Sequence, residues 1–201
     1  MFATFRNTAV GAALGLCAGV AVPAQAAYIV TLQEVGANVV ATGSGSIDLA
    51  GLNSLSIGSA GARIIPSIGQ IITGEPNTGP SPIDRYTGFI GPTSFGSGGL
   101  TFADSGSGDF VGVSAIVNIL VVPPSYSSNN PLSDITTYLN QSFTTLGVTP
   151  GTYVWTWGTG ADADSFALQI GAVATAPEPA SLALFGAGLA GLGMVLRTRR
   201  T

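Results

Sequence analysis

Histidine and lysine are absent from this chain of 201 residues, and its one cysteine is Cys17. The absence of histidine removes the commonest general base and the commonest metal ligand. Without lysine, and without cysteine after residue 17, the rest of the chain has no amine or thiol nucleophile, no disulfide and no thiolate metal site. We therefore expect a protein that is not an enzyme, with no catalytic residue, no metal site and no cofactor.

Positive charge is scarce in the long middle part of the chain. Between residues 27 and 176 two arginines, Arg63 and Arg85, stand against nine carboxylates, which gives a net charge of −7. A nucleic-acid partner is not expected, because binding to a phosphate backbone needs a basic patch. Serine, threonine, asparagine and glycine must solvate this surface instead, as is usual for exported proteins.

Residues 1–26 predict a signal peptide. Arg6 supplies the positive charge at its start, and Ala9–Val22 is an apolar run of the length that such signals use. Ala24 and Ala26 are small residues at the two positions that signal peptidase reads, so cleavage is predicted between Ala26 and Ala27. The alternatives are a core helix or a retained anchor, and the shortness of the apolar run disfavours both.

Residues 27–175 predict an all-β domain of the β-sandwich or jelly-roll kind. Short runs of β-branched and aromatic residues alternate with turns rich in glycine, serine and proline. The predicted strands are Tyr28–Val35, Val39–Leu49, Leu55–Ile57, Arg63–Ile65, Gln70–Thr73, Arg85–Ile90, Leu100–Asp104, Phe110–Val122 and a hairpin over Thr152–Ile170.

One helix of about two turns is predicted inside this domain. Asn130 can cap its start and Pro131 suits the first helical position. Leu132, Ile135 and Leu139 follow at helical spacing.

The hairpin carries the largest aromatic side chains of the domain. Tyr153, Trp155 and Trp157 alternate along its first strand and share one face. Such a face could be an exposed platform on which sugar rings stack, which would make this a carbohydrate-binding domain. The favoured interpretation is that both tryptophans fill the core opposite Phe166 and Leu168.

Two pairs of carboxylates are candidate sites of chemistry. Asp162 and Asp164 lie in a glycine-containing loop that could offer oxygen ligands to calcium, and Asp104 and Asp109 flank a second such loop. Neither loop has the further ligands of a calcium-binding loop, so solvated turns are favoured. A hydrolase that uses two carboxylates is a third alternative, but no pair stands out.

Residues 180–196 predict a membrane-spanning helix, because Ala180–Leu196 holds no charged side chain. A helix of this length extends about 25 Å, the short end of a membrane span. Three arginines follow it and are predicted to stay in the cytoplasm, which leaves residues 27–176 outside. These arginines are Arg197, Arg199 and Arg200.

Pro177, Glu178 and Pro179 precede this span and are held extended by the two prolines. The triplet, the glycine-rich span and the terminal arginines together resemble the PEP-CTERM sorting signal over Ala176–Thr201. The stretches NVVATGSGSIDL, GPTSFGSGG and GTYVWTWGTGADADSFALQI are also similar to an ectodomain that recurs among PEP-CTERM proteins.

This resemblance implies processing by exosortase, a membrane enzyme of biofilm-forming bacteria that make extracellular polysaccharide. The implied span is transient, since a sorting tail of this kind is removed in maturation. The predicted organisation is a signal peptide over residues 1–26, a β ectodomain over 27–175 and a sorting signal over 176–201. It is expected to be a non-enzymatic protein of the cell envelope or extracellular matrix, or secreted, with signal peptidase, exosortase and the membrane as partners and polysaccharide as a further one.

Overall fold

A computed structural model describes residues 27–76 and 81–171, and most of these residues lie in β-strands. The strands are β1 (Ala27–Val35), β2 (Asn38–Gly45), β3 (Asn53–Ala60), β4 (Arg63–Ile65), β5 (Gln70–Thr73), β6 (Ser81–Thr87), β7 (Thr101–Phe102), β8 (Ser105–Gly108), β9 (Val111–Ser114), β10 (Ile119–Val122), β11 (Leu132–Tyr138), β12 (Gly151–Trp157) and β13 (Asp164–Ile170). The helical segments are the single turn α1 (Phe143–Leu146) and three 3-10 turns at Pro66–Ile68, Ala115–Val117 and Gly160–Asp162.

The strands form two sheets that bury their facing side chains in one core. Sheet 1 has the order β12-β13-β1-β2-β11-β8, and sheet 2 has the order β3-β6-β10-β9-β5-β4-β7. Alternate residues of both sheets meet in this core, among them Tyr28, Trp155 and Phe166 from sheet 1 and Ile71 and Leu120 from sheet 2. The all-β prediction is confirmed.

The first and last described strands are neighbours in the middle of sheet 1. β1 pairs with β13 in parallel, with Tyr28 opposite Phe166 and Leu32 opposite Ile170. β1 also pairs with β2 through a tight turn, with Val35 opposite Asn38. Because the pairing with β13 is parallel, the chain enters the domain at one end of the sheet and leaves it at the other.

Sheet 2 is strongly curled. Ala60 at the end of β3 and Arg63 at the start of β4 are three residues apart, so their Cα atoms are within about 11 Å of each other. Four strands separate β3 from β4 in the sheet order, which in a flat sheet would place them about 24 Å apart. The side facing away from the common core is concave and buries a second cluster of Ala60, Ile72, Ile83 and Val121.

The predicted helix after Asn130 is wrong, because this segment forms strand β11. Leu132, Asp134, Thr136 and Tyr138 are buried and their neighbours are more exposed, which is the two-residue period of a strand. Two of the buried positions are polar, so the alternation is hidden in the sequence, whereas three apolar residues happen to fall at helical spacing.

Other predicted boundaries shift. The stretch Phe110–Val122 is broken by a 3-10 turn into β9 and β10, and the Ser-Gly-Ser-Gly link before it is strand β8. The second predicted strand ends at Gly45 rather than Leu49, and β6 begins at Ser81 and ends at Thr87. β4 and β5 have the predicted bounds.

The predicted signal peptide and the predicted span over residues 180–196 lie outside the described residues. Over residues 27–76 and 81–171, no helix has the length and hydropathy needed to cross a membrane.

Candidate functional site

The aromatic face of the hairpin lies in the core. Trp155 is 0% exposed and Trp157 is 4% exposed, and Trp155 packs edge-on against Phe166 with ring centroids 5.8 Å apart. Each indole N–H donates to a backbone oxygen, Trp155 to Pro92 at 2.9 Å and Trp157 to Asp48 at 2.8 Å. The favoured interpretation, in which both tryptophans fill the core, is confirmed, and the alternative of a sugar-stacking face is wrong for these two rings because they offer no surface to a ligand.

Tyr153, the third residue of that face, is half-buried. Its ring packs against Phe95 at 5.8 Å, and its hydroxyl donates to the backbone oxygen of Thr149 at 3.0 Å. One half-buried ring that already has partners is a poor platform for a sugar.

The loop between β12 and β13 separates its two carboxylates. Asp162 is exposed, whereas Asp164 is 4% exposed and accepts hydrogen bonds from the backbone N–H of Asp48 and of Ser165, both at 2.6 Å. Burial raises the pKa of Asp164 to about 6, against the opposing effect of those two donors. Asp164 thus fastens a loop and is not part of a solvated turn, which corrects that prediction for this residue.

Asp104 and Asp109 flank β8 and bind the neighbouring strand. Asp104 accepts a hydrogen bond from the N–H of Leu139 at 2.8 Å, and Asp109 accepts one from Ser133 at 2.9 Å. They hold the two ends of β11 against β8. Among the described residues, no group of three acidic side chains is arranged to hold a metal ion.

Strands β1 and β11 of sheet 1 carry a buried polar cluster that the sequence pattern does not predict. The Tyr28 hydroxyl donates to Asp134 Oδ2, while Asp134 Oδ1 and the Tyr138 hydroxyl have no hydrogen-bond partner within the described ranges. Burial raises the pKa of Asp134 to about 6 and also raises the pKa values of Tyr28 and Tyr138. Gly43 leaves the space that this pair needs, because a Cβ there would overlap both groups.

This cluster does not have the arrangement of a two-carboxylate hydrolase. Asp134 borders a groove on sheet 1, and the other residues that line the groove are uncharged. We therefore interpret the cluster as structural: it links β1 to β11 across Gly43 of β2.

A different site lies in the concave side of sheet 2, where the curl encloses a cavity of about 130 Å³. Arg63 of β4 and Arg85 of β6 both line it, and they are the only two basic residues between positions 27 and 176. Ile72, Ile83 and Val121 form an apolar floor. Gln70, Ser59 and Ser114 add neutral polar groups to the wall. We call this the arginine pocket.

The sequence contains one signal for the arginine pocket. A domain with a net charge of −7 keeps two cations, and both occur in predicted strands. The curl that brings β4 and β6 to one cavity depends on strand order, which the local pattern does not reveal.

The predicted sorting residues lie beyond the described part of the chain, and a comparison with known families locates them. Residues 175–200 match the family model of the PEP-CTERM protein-sorting motif, a range that contains Pro177, Glu178 and Pro179 together with the three terminal arginines. No curated protein and no solved structure matches the chain. The motif indicates an exported protein that exosortase sorts to the cell envelope or surface.

Proposed function

We propose that the protein is a non-enzymatic component of the cell envelope or extracellular matrix, processed at both ends and associated with extracellular polysaccharide. The observation that carries this proposal is the sorting motif at residues 175–200, which begins shortly after β13 ends at Ile170. The last strand of the folded domain thus leads almost directly into the segment that the sorting enzyme reads.

We also propose processing at the N-terminal end of the domain. β1 begins at Ala27, the first residue after the proposed signal peptidase cleavage, and Ala27 is already opposite Ser165 in sheet 1. Cleavage between Ala26 and Ala27 would leave a mature chain that starts with its first strand, and Ala24 and Ala26 would go with the signal.

The absence of enzymatic activity is also a proposal. In the described residues the two most deeply buried carboxylates, Asp134 and Asp164, are used for internal hydrogen bonds. Charged side chains are few between residues 27 and 176, with two arginines and nine carboxylates, which suits a matrix component better than a catalyst.

In this proposal residues 180–196 cross the membrane transiently and Arg197, Arg199 and Arg200 stop the transfer. Pro177, Glu178 and Pro179 then lie at the outer boundary of the membrane, extended and accessible to exosortase.

Intact mass spectrometry of the exported protein tests the proposal. We expect a mature chain that begins at Ala27 and lacks residues 180–201 in cells with exosortase, and a chain that keeps them in cells without the enzyme. Glu178→Gln removes the one charge of the triplet and should slow this maturation, with Glu75→Gln in the ectodomain as the matched control. A tail retained in exosortase-positive cells would contradict the proposal.

A further inference from the structure

We propose that the arginine pocket binds a small organic monocarboxylate, such as a single uronate ring, with Arg63 as the main contact. This site is separate from the sorting motif and does not depend on it. The argument rests on the hydrogen-bond partners of the two arginines, on the lining of the pocket and on the charge of the domain.

Most of the guanidinium group of Arg63 is available. Its only hydrogen bond within the described ranges joins Nε to Gln70 Oε1 at 3.4 Å, which is long for such a bond. The two Nη groups have no partner there, although Arg63 is half-buried and lines the cavity. No carboxylate in residues 27–76 or 81–171 forms an ion pair with it. A half-buried guanidinium without an anion is the arrangement that a carboxylate ligand would complete with two parallel hydrogen bonds.

Arg85 uses more of its guanidinium group than Arg63 does for hydrogen bonds within the protein. Its Nε donates to Ser56 O at 3.3 Å, and its Nη2 donates to Ser56 Oγ at 2.5 Å and to Ile57 O at 3.4 Å. These bonds brace β3 where its pairing with β6 shifts between Ser54 and Ser56. Arg85 therefore shapes the wall and adds positive charge, whereas Arg63 keeps donors free for a ligand.

The rest of the pocket selects the kind of anion. The floor of Ile72, Ile83 and Val121 is apolar, and the neutral groups of Gln70 and Ser114 lie beside it. A ligand with one carboxylate and an uncharged body can use both parts. Inorganic dianions cannot use the floor, and the net charge of −7 over residues 27–176 repels a second negative charge more than a first.

The volume limits the body of the ligand. A cavity of about 130 Å³ has room for a few carbon atoms or for one face of a sugar ring, and not for several rings. The carboxylate could come from a free small acid or from a uronate at the end of a polysaccharide. The chemistry at Arg63 is the same for both sources.

Titration of the full chain in a mild detergent, followed by NMR or calorimetry, tests the proposal. Glucuronate should bind with a Kd on the order of 1 mM, as expected of a ligand of this size. Glucose, its uncharged match, and sulfate should each bind at least tenfold more weakly. Saturable binding of a polymer with terminal glucuronate identifies the polysaccharide source, whereas binding of the free sugar alone identifies a small acid.

Variants assign the binding to Arg63. Arg63→Gln should weaken glucuronate binding at least tenfold, and Arg63→Lys should restore part of it, because lysine keeps the charge without the paired donors. Thr152→Asp, on exposed sheet 1 surface, changes the net charge by the same amount as Arg63→Gln and should leave binding unchanged. Circular dichroism checks that each variant is folded.

The proposal is overturned if glucuronate gives no saturable signal at tens of millimolar, or if glucose or sulfate binds as tightly. It is also overturned if folded Arg63→Gln binds like the wild type. None of these results bears on removal of the tail, so the sorting proposal and this one fail separately.

Discussion

Both sheets hold charged side chains that are at least partly buried, but these side chains differ in how many hydrogen-bond partners they have. Behind sheet 1, Asp134 receives the Tyr28 hydroxyl, and at the end of the same sheet Asp164 receives two backbone N–H groups. In sheet 2, Arg63 keeps its Nη groups without a partner in the described residues. Asp134 also keeps one oxygen, Oδ1, without a partner in the described residues. Arg63 has two unpartnered groups and lines a cavity with an apolar floor, so it is the better place to look for a ligand.

The largest expected effect on stability is that of replacing a core ring of sheet 1, compared with replacing an exposed side chain of sheet 2. Trp155→Ala removes a fully buried ring and its hydrogen bond to Pro92, and we expect it to lower the free energy of unfolding by about 3–5 kcal/mol. Ile57→Ala, at a side chain that is 75% exposed, should change it by less than about 0.5 kcal/mol. Urea unfolding measures both, and equal small effects would contradict the core assignment of the hairpin.

Asn118 tests whether sheet 2 also depends on internal polar contacts. Its side chain accepts hydrogen bonds from Thr87 and from the N–H of Gly88, both at 2.8 Å, and donates to Phe89 O at 2.7 Å. Asn118→Ala should cost about 2 kcal/mol, because three hydrogen bonds are lost and the backbone has a φ of 49°.

Asn118→Gly loses the same hydrogen bonds but accepts the left-handed backbone, so it should be less destabilised than Asn118→Ala in the same urea assay. An alanine variant as stable as the wild type would show that this turn contributes little to sheet 2.

The pH dependence of stability probes the Asp134 cluster. Burial raises the pKa of Asp134 to about 6 from an ordinary value of 3.8, so the folded state binds the proton more tightly than the unfolded state. Stability should therefore rise as the pH falls through the folded pKa, by about 1.4 kcal/mol from pH 8 to 5, and be lost again as the pH rises.

Asp134→Asn should remove this part of the slope while keeping an acceptor for Tyr28. The pKa of Asp164 is also raised, so Asp164 makes its own contribution to the pH dependence of the free energy of unfolding. Asp164→Asn would remove that contribution. Asp162→Asn, at an exposed carboxylate, is the matched control for the loss of one negative charge. An unchanged slope in Asp134→Asn would mean that this carboxyl is not the group that titrates.

The smallest expected effect on stability is that of Arg63→Gln. Only one long hydrogen bond is lost, so the free energy of unfolding should change by less than about 0.5 kcal/mol without ligand. Thermal unfolding with and without glucuronate measures it, and only the wild type should gain stability from the ligand. A large loss without ligand would place Arg63 among the structural residues, together with Asp134.

Prediction from sequence succeeded where the local pattern carries the structure. β4 and β5 have their predicted bounds, and the hairpin pairs Trp155 with Phe166 as its alternation implies. The sorting residues were found because a short motif in a fixed order is itself the signal. In these cases the information lies within a few neighbouring residues.

The failures have a common physical cause, which is contact between distant segments. β11 was predicted as a helix because its buried Asp134 and Thr136 look like surface residues until Tyr28 of β1 and Gly74 beyond β5 supply their partners. The arginine pocket exists only because sheet 2 curls. Local composition contains the two arginines but not the strand order that brings them to one cavity.

The parallel pair of β1 and β13 has a consequence for the order of events during export. In the proposed export from the N-terminal signal, β1 crosses the membrane early, but it obtains its second neighbour only when residues 164–170 have followed. Long-range pairing of this kind folds slowly, since nearly the whole domain must close into one loop. The strand that completes sheet 1 is followed almost at once by the sorting motif. Completion of sheet 1 and presentation of the motif to exosortase are therefore both late steps, and both depend on the chain after residue 163. A chain truncated before residue 164 would neither complete sheet 1 nor carry the motif.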